Sequence, residues 1–188
     1  LARRRSSFII DGRGEAMVAG ADGVLRLKIP DQGTELSIEV VIPGQSSDLH
    51  RDREGWLWIA SATGVRALAP EHGMIEVPGI GDVEFQQILE DAAGRIWAFG
   101  DVGLVIDVDR NARQFQVRRI PTDQVNEYLS VANVSLTPDG VVVAGMMGGG
   151  LRVFRRSFFE RWGYQTGASM VEAKAMVADG AGGLYVGS

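Results

Sequence analysis

A turn of the form Asp-x-x-Gly, followed by three apolar residues, returns five times along these 188 residues. Asp11 to Gly14 leads into Ala16-Met17-Val18, Asp52 to Gly55 into Leu57-Trp58-Ile59, and Asp91 to Gly94 into Ile96-Trp97-Ala98. Thr137 to Gly140 leads into Val142-Val143-Ala144, and Asp179 to Gly182 into Leu184-Tyr185-Val186. The anchoring glycines are 41, 39, 46 and 42 residues apart, and a second glycine follows nine residues later at Gly23, Gly64, Gly103 and Gly149. A period near 40 constrains the fold more than any other feature here. Each copy is one small unit that cannot bury its own faces and must stack on its neighbours.

The turn residues have a physical role. An aspartate opening a turn accepts hydrogen bonds from backbone N–H groups two residues on. Glycine in the fourth position takes the positive φ that returns the chain into an antiparallel strand. Each copy therefore reads as strand, Asp-x-x-Gly turn, strand, glycine turn, strand. The β-forming stretches Glu39 to Ile42, Met74 to Val77 and Gln114 to Val117 supply a fourth strand. The 25 glycines fit a chain built of tight turns.

The three apolar columns after each anchoring glycine do not alternate with polar residues. A strand with one wet face alternates, so these strands are buried on both faces. Four-stranded antiparallel units of this length, with a second strand sandwiched between neighbours, predict an all-β chain folded as a β-propeller. The blades fall at about 8–42, 46–79, 83–120 and 128–162, with a half-blade at 171–188. Four and a half blades suggest part of a larger ring, for which seven blades is the expectation. Trp58 and Trp97 share their column with Met17, Val143 and Tyr185, so they are read as packing between blades. Trp56 shares its column with Glu15, Arg95, Val141 and Gly183; that position is not obligatory core, which leaves Trp56 available for another role. No stretch sustains helical spacing with caps; 122–135 comes nearest and is interrupted by β-branched residues and Asn.

Composition narrows the chemistry. A net charge of −5 and two short basic clusters, Arg3 to Arg5 and Arg155-Arg156, argue against nucleic acid as a partner. With no cysteine there are no disulfides or thiol nucleophiles, and no apolar run is long enough to insert in a membrane. The chain starts at Leu1 without a signal peptide and reads as a piece of a longer protein. Its two histidines, His50 before a turn and His72 in a turn, are too few for a histidine metal centre. Gly148 to Gly150 lacks the Lys-Ser/Thr of a phosphate loop, and no hydrolase Gly-x-Ser-x-Gly occurs. The turn aspartates cap their own turns, and separate blades do not bring together the six to eight oxygens calcium needs. Neither metal nor cofactor is therefore expected.

The repeat reads best in "DLHRDREGWLWIASATGVRAL" (48–68) and "ILEDAAGRIWAFGDVGLVIDV" (88–108), with further copies at 10–27, 136–154 and 177–188. These stretches resemble the two-component regulator propeller repeat. The resemblance implies the periplasmic or extracellular input domain of a membrane-anchored histidine kinase or diguanylate cyclase. Such a domain senses a small molecule or glycan, or organises a dimer, and does no catalysis. It would close as a homodimer or through flanking propeller sequence. Two other readings share the repeat's grammar: a protein-interaction scaffold, and an enzyme of the virginiamycin B lyase or sugar lactonase kind. The enzyme would draw on His50, Glu84, Glu127 or Glu172. Propellers bind ligands where the connections between blades meet the turns between second and third strands. Polar and aromatic side chains on those segments are Gln45, Thr63, Asp82, Asp101, Asn126, Glu127, Tyr128, Tyr164 and Gln165.

Overall fold

Each repeat folds as an antiparallel meander. The structure, a computed structural model, describes residues 7–10, 15–28, 37–70, 72–120, 131–147, 150–154, 159–162, 175–178 and 184–187. Blade 1 holds β1 (Phe8–Ile10), β2 (Ala16–Gly20), β3 (Gly23–Lys28) and β4 (Ser37–Pro43). Blade 2 holds β5 (Ser46–Arg51), β6 (Leu57–Ser61), β7 (Gly64–Ala69) and β8 (Gly73–Glu76). Blade 3 holds β9 (Phe85–Glu90), β10 (Ile96–Gly100), β11 (Gly103–Asp109) and β12 (Gln114–Arg119). Blade 4 holds β13 (Val131–Leu136), β14 (Val142–Met146), β15 (Leu151–Phe154) and β16 (Phe159–Trp162), and a two-stranded sheet joins β17 (Ala175–Ala178) to β18 (Leu184–Gly187). Strands pair in sequence order in every sheet, and no helix occurs among the described residues.

The turns close as their residues require. Gly55, Gly94 and Gly140 have φ of 88°, 81° and 81°, the left-handed region in which a side chain is strained. In the third copy the Asp91 N–H donates to Arg95 O at 2.9 Å and the Gly94 N–H to Asp91 O at 3.0 Å. Gly23 combines a φ of 132° with a close approach, since a Cβ there would lie 2.0 Å from the Ile42 carbonyl oxygen. No other residue fits that position.

The chain divides into two compact units, residues 1–88 and 89–188. In the first, Met17, Ala19, Val24 and Ile42 of blade 1 pack against Leu49, Leu57 and Ile59 of blade 2. In the second, Trp97, Phe99 and Val105 of blade 3 pack against Val131, Val142, Ala144 and Phe154 of blade 4. The packing has a consistent sense. The side chain three residues after the anchoring glycine faces the next blade, and those two and four residues after it face the previous one. Val143 thus points away from blade 3, on a blade whose first strand lies against β17, and it is buried.

The all-β expectation holds, and β6 and β10 are buried along their whole length. Two expectations about the apolar columns fail. In β2 burial alternates, with Met17 and Ala19 buried but Ala16 and Val18 half-buried, because no described residue covers the outer face of blade 1. Tyr185 is 66% exposed rather than packed between blades. The row it belongs to faces the next blade, and no described strand stands there. Of the other exposed large apolar residues, Ile38, Val40 and Met74 lie on fourth strands, Phe8 and Ile10 on β1, Val177 on β17 and Met147 in the turn after β14.

Candidate functional site

Two carboxylates organise the Asp-x-x-Gly end of the blades. Asp52 and Asp91 are 4% and 1% exposed, which demands that their charge be met by donors. Oδ1 of Asp52 accepts from the Glu54 and Trp56 backbone N–H groups at 3.0 and 2.9 Å, and Oδ2 accepts from the Trp58 indole Nε1 at 2.9 Å. Asp91 repeats the arrangement with the Ala93 and Arg95 N–H groups at 2.9 and 3.0 Å and the Trp97 indole at 2.8 Å. It adds the Arg95 guanidinium, with Nε and Nη2 both 2.7 Å from Oδ2. Burial alone would raise the Asp91 pKa, but the Trp97 indole and the Arg95 backbone and guanidinium together hold it below the usual value. The aspartate therefore does more than cap its own turn. It fixes the rotamer of the tryptophan six residues on, whose ring fills the space between sheets.

The fourth copy lacks both partners. Thr137 stands for the aspartate and its Oγ1 accepts from the Val141 N–H at 2.9 Å, keeping the turn, while Val143 stands for the tryptophan. In the column three residues after the anchoring glycine, tryptophan occurs only in copies whose turn opens with aspartate.

Trp56 is not a surface platform. It is 6% exposed and stacks on Trp58 with ring centroids 6.1 Å apart and planes 21° from parallel. Arg95, at the same position in blade 3, lies over the Trp97 ring with its guanidinium carbon 5.7 Å from the centroid. In the two copies that carry a tryptophan, this column holds a side chain that covers the ring two residues on, by stacking in blade 2 and by cation–π contact in blade 3.

The opposite end of the blades carries the segments expected to bind ligand. In blade 2, a Cβ on Gly55 would meet Pro70 at 3.8 Å, whereas one on Gly64 would meet the Gly81 carbonyl at 3.8 Å. The turn bearing Thr63 thus lies against the connection bearing Asp82, both exposed, and away from the Asp52 turn. Half-buried Gln45 sits in the connection from β4 to β5 at the same end. Arg66, which sequence reading did not single out, reaches this region: its Nη1 donates to Pro43 O at 3.5 Å and its Nη2 is 3.9 Å from a Cβ built on Gly44. In the second unit, Asp101 is exposed in the turn between β10 and β11. Asn126, Glu127, Tyr128, Tyr164 and Gln165 lie outside the described residues, as do Asp11, Gly14, Asp179 and Gly182 of the repeat, Glu172 and the two arginine clusters. His72 is exposed in its turn, His50 is half-buried, and among the described residues no three His, Asp or Glu side chains converge as a metal site requires.

One acid at this end escaped the sequence reading. Asp48 stands at an irregularity in β5, where pairing with β6 shifts between Ser46 and Asp48. Its Oδ1 accepts from the Leu49 N–H at 2.9 Å and its Oδ2 from the Ile88 N–H of β9 at 2.8 Å. Burial raises its pKa, opposed by hydrogen bonds from the Ser7 side chain, Ile88 and Leu49 and by the charge of His50. Both oxygens are occupied by backbone, so Asp48 ties the first strands of successive blades together. Its partner lies 40 residues downstream, and no local pattern announces it.

The extracellular domain of a one-component system from B. thetaiotaomicron superposes over 96% of this chain with a TM-score of 0.72 and 16% identity. The extracellular domain of a hybrid two-component system from the same organism does so over 100% with a TM-score of 0.67 and 14% identity. A catalytically inactive virginiamycin B lyase from Staphylococcus aureus, with quinupristin, covers 99% with a TM-score of 0.68 and 15% identity. The fold is a β-propeller. This propeller chain spans 28% of each extracellular domain and 64% of the lyase. No family model matches the sequence, and no curated protein matches it.

Proposed function

We propose that this segment is part of the ligand-sensing propeller of a bacterial signalling protein, displayed on the periplasmic or extracellular side of a membrane. It binds a small molecule or oligosaccharide on the turns and connections opposite the Asp-x-x-Gly turns, which carry Gln45, Thr63 and Asp82 in the first unit and, separately, Asp101 in the second, without turning it over. The observation that carries this reading is the division of labour between the two ends. The buried acids of the repeat, Asp52 and Asp91, are committed to tryptophan and backbone, while the opposite end offers exposed polar groups on turns and connections. The likeness to extracellular domains of one- and two-component systems supports the same reading.

The comparable likeness to virginiamycin B lyase favours a second reading, a propeller enzyme acting with a divalent metal and acid–base groups such as His50 or Glu84. Calorimetric titration with a panel of neutral and acidic oligosaccharides, with and without a divalent cation, separates the two. A sensor shows saturable binding that weakens in Thr63→Ala, Asp101→Ala, Glu127→Ala and Tyr128→Ala, and returns every ligand chemically unchanged. Binding that survives all four substitutions overturns the assigned end. A metal-dependent product that disappears in His50→Ala supports the enzyme instead.

A further inference from the structure

Arg66 places a cation where other blades place leucine. On β7 it pairs with Ile59, the residue four after the anchoring glycine, and the same rung holds Leu25 in blade 1 and Leu104 in blade 3, with Arg152 in blade 4. Leu104 is fully buried, so carbon alone can fill this position and the fold does not demand an arginine there. Ile59 packs on blade 1, and directly paired residues share a face of the sheet, so Arg66 runs along the seam between blades 1 and 2.

Its charge is poorly met. A guanidinium is all donor, with N–H on every nitrogen and no acceptor. Nε is buried without a hydrogen-bond partner, and among the described residues the side chain makes one hydrogen bond, from Nη1 to Pro43 O at 3.5 Å. That length is at the outer edge of hydrogen bonding. Glu76 stands directly opposite Arg66 on β8 yet forms no ion pair with it, and no other described carboxylate does. Arg26, Arg95 and Arg118, by contrast, each hold an acid. A partly desolvated cation without an acid costs stability, and such departures from the packing rule collect at functional sites. The fork reaches the connection from β4 to β5, on the end of the blade away from the Asp52 turn. Nη2 lies 3.9 Å from where a Cβ on Gly44 would stand, and glycine puts no side chain over it.

We propose that Arg66 receives a carboxylate of the ligand, so that the molecule sensed is an organic acid or an acidic saccharide. The proposal rests on the sensor reading above and adds the ligand's chemical class to it. The two Nη groups of a guanidinium meet both oxygens of a carboxylate at once, which fixes orientation as well as charge. Gln45, next to Gly44, and Thr63, in the turn before β7, are neutral partners for hydroxyl groups at the same end.

Calorimetry with galacturonate and glucuronate oligosaccharides, each beside its carboxyl-reduced counterpart, and with succinate tests this. The acidic form should bind about 10–100-fold more tightly than the reduced form, the worth of a charge-assisted hydrogen-bonded pair. Arg66→Leu, which installs the residue of blades 1 and 3, should keep the wild-type circular dichroism and abolish that advantage; Arg66→Met replaces it if the spectrum changes. Binding of succinate without any saccharide, lost in the same variant, assigns the carboxylate to a small organic acid rather than a glycan. Equal binding of acidic and reduced forms, or an advantage that survives the substitution, overturns the inference and leaves the sensor reading standing. Failure of every probe to bind, neutral ones included, counts against both.

Discussion

Replacing Asp91 by Ala tests the carboxylate–indole clamp where it is most completely drawn. The substitution removes the acceptor for the Trp97 indole, two backbone N–H groups and the Arg95 guanidinium. Arg95 is partly exposed and regains water. The indole is buried with its ring and cannot. A buried donor left without a partner costs about 1–3 kcal/mol, so the indole and the turn amides together give a loss of about 3–5 kcal/mol. Thr137→Ala in blade 4 is the internal comparison, because Thr137 serves the Val141 N–H but no indole. It should cost only about 1 kcal/mol, the ordinary worth of one hydrogen bond. Trp97→Phe keeps a smaller aromatic ring and deletes the donor; the double-mutant cycle with Asp91→Ala cancels the lost volume, and the coupling should be about 1–2 kcal/mol. Urea unfolding followed by circular dichroism gives all four values. An Asp91→Ala loss no larger than that of Thr137→Ala, or no coupling to Trp97, would refute the clamp.

Trp56→Ala should destabilise by about 3–5 kcal/mol, as large-to-small changes in a core do, which denaturant midpoints will show; a stable variant would return Trp56 to the surface. Gly23→Ala should cost well over the ~1 kcal/mol expected at Gly73, where φ is 78° and nothing lies within 4 Å, and paired melting curves test the ratio. The folded pKa of Asp91 is depressed, so its contribution is present above its unfolded value near ~3.9 and is lost as pH falls through the folded value. Asp91→Asn should therefore flatten the acid side of the stability profile. Asp48, with its pKa raised, acts in the opposite sense, favouring the folded chain at low pH and losing that contribution as pH rises through its folded value.

The turns and the strand order were legible because they are local. Asp52 and Gly55 lie within one turn, and the need for a positive φ leaves its mark on the sequence. The partner of the aspartate was also within reach: tryptophan follows six residues after Asp52 and Asp91 and is missing after Thr137. Trp56 was misread because a column occupied by Glu, Arg and Val looks wet, when its requirement is to cover a neighbouring ring, which Arg95 meets as well. Tyr185 is exposed, unlike Met17, Trp58, Trp97 and Val143 in the same column, because no described residue covers its face of β18. Asp48 left no trace, because its bond to Ile88 depends on how two blades pack. The end expected to bind ligand follows from strand direction alone, and Thr63 beside the Asp82 connection agrees with that alternation.

The central claim is that one end of each blade is structural and the other is for recognition. Hydrogen–deuterium exchange, with and without the tightest-binding oligosaccharide from the titration panel, tests it most directly. Protection is predicted in the connections 43–46 and 78–84 and the turns 61–64 and 100–103, with the Asp-x-x-Gly turns 52–55 and 91–94 unchanged. Protection concentrated on those Asp-x-x-Gly turns would contradict the account.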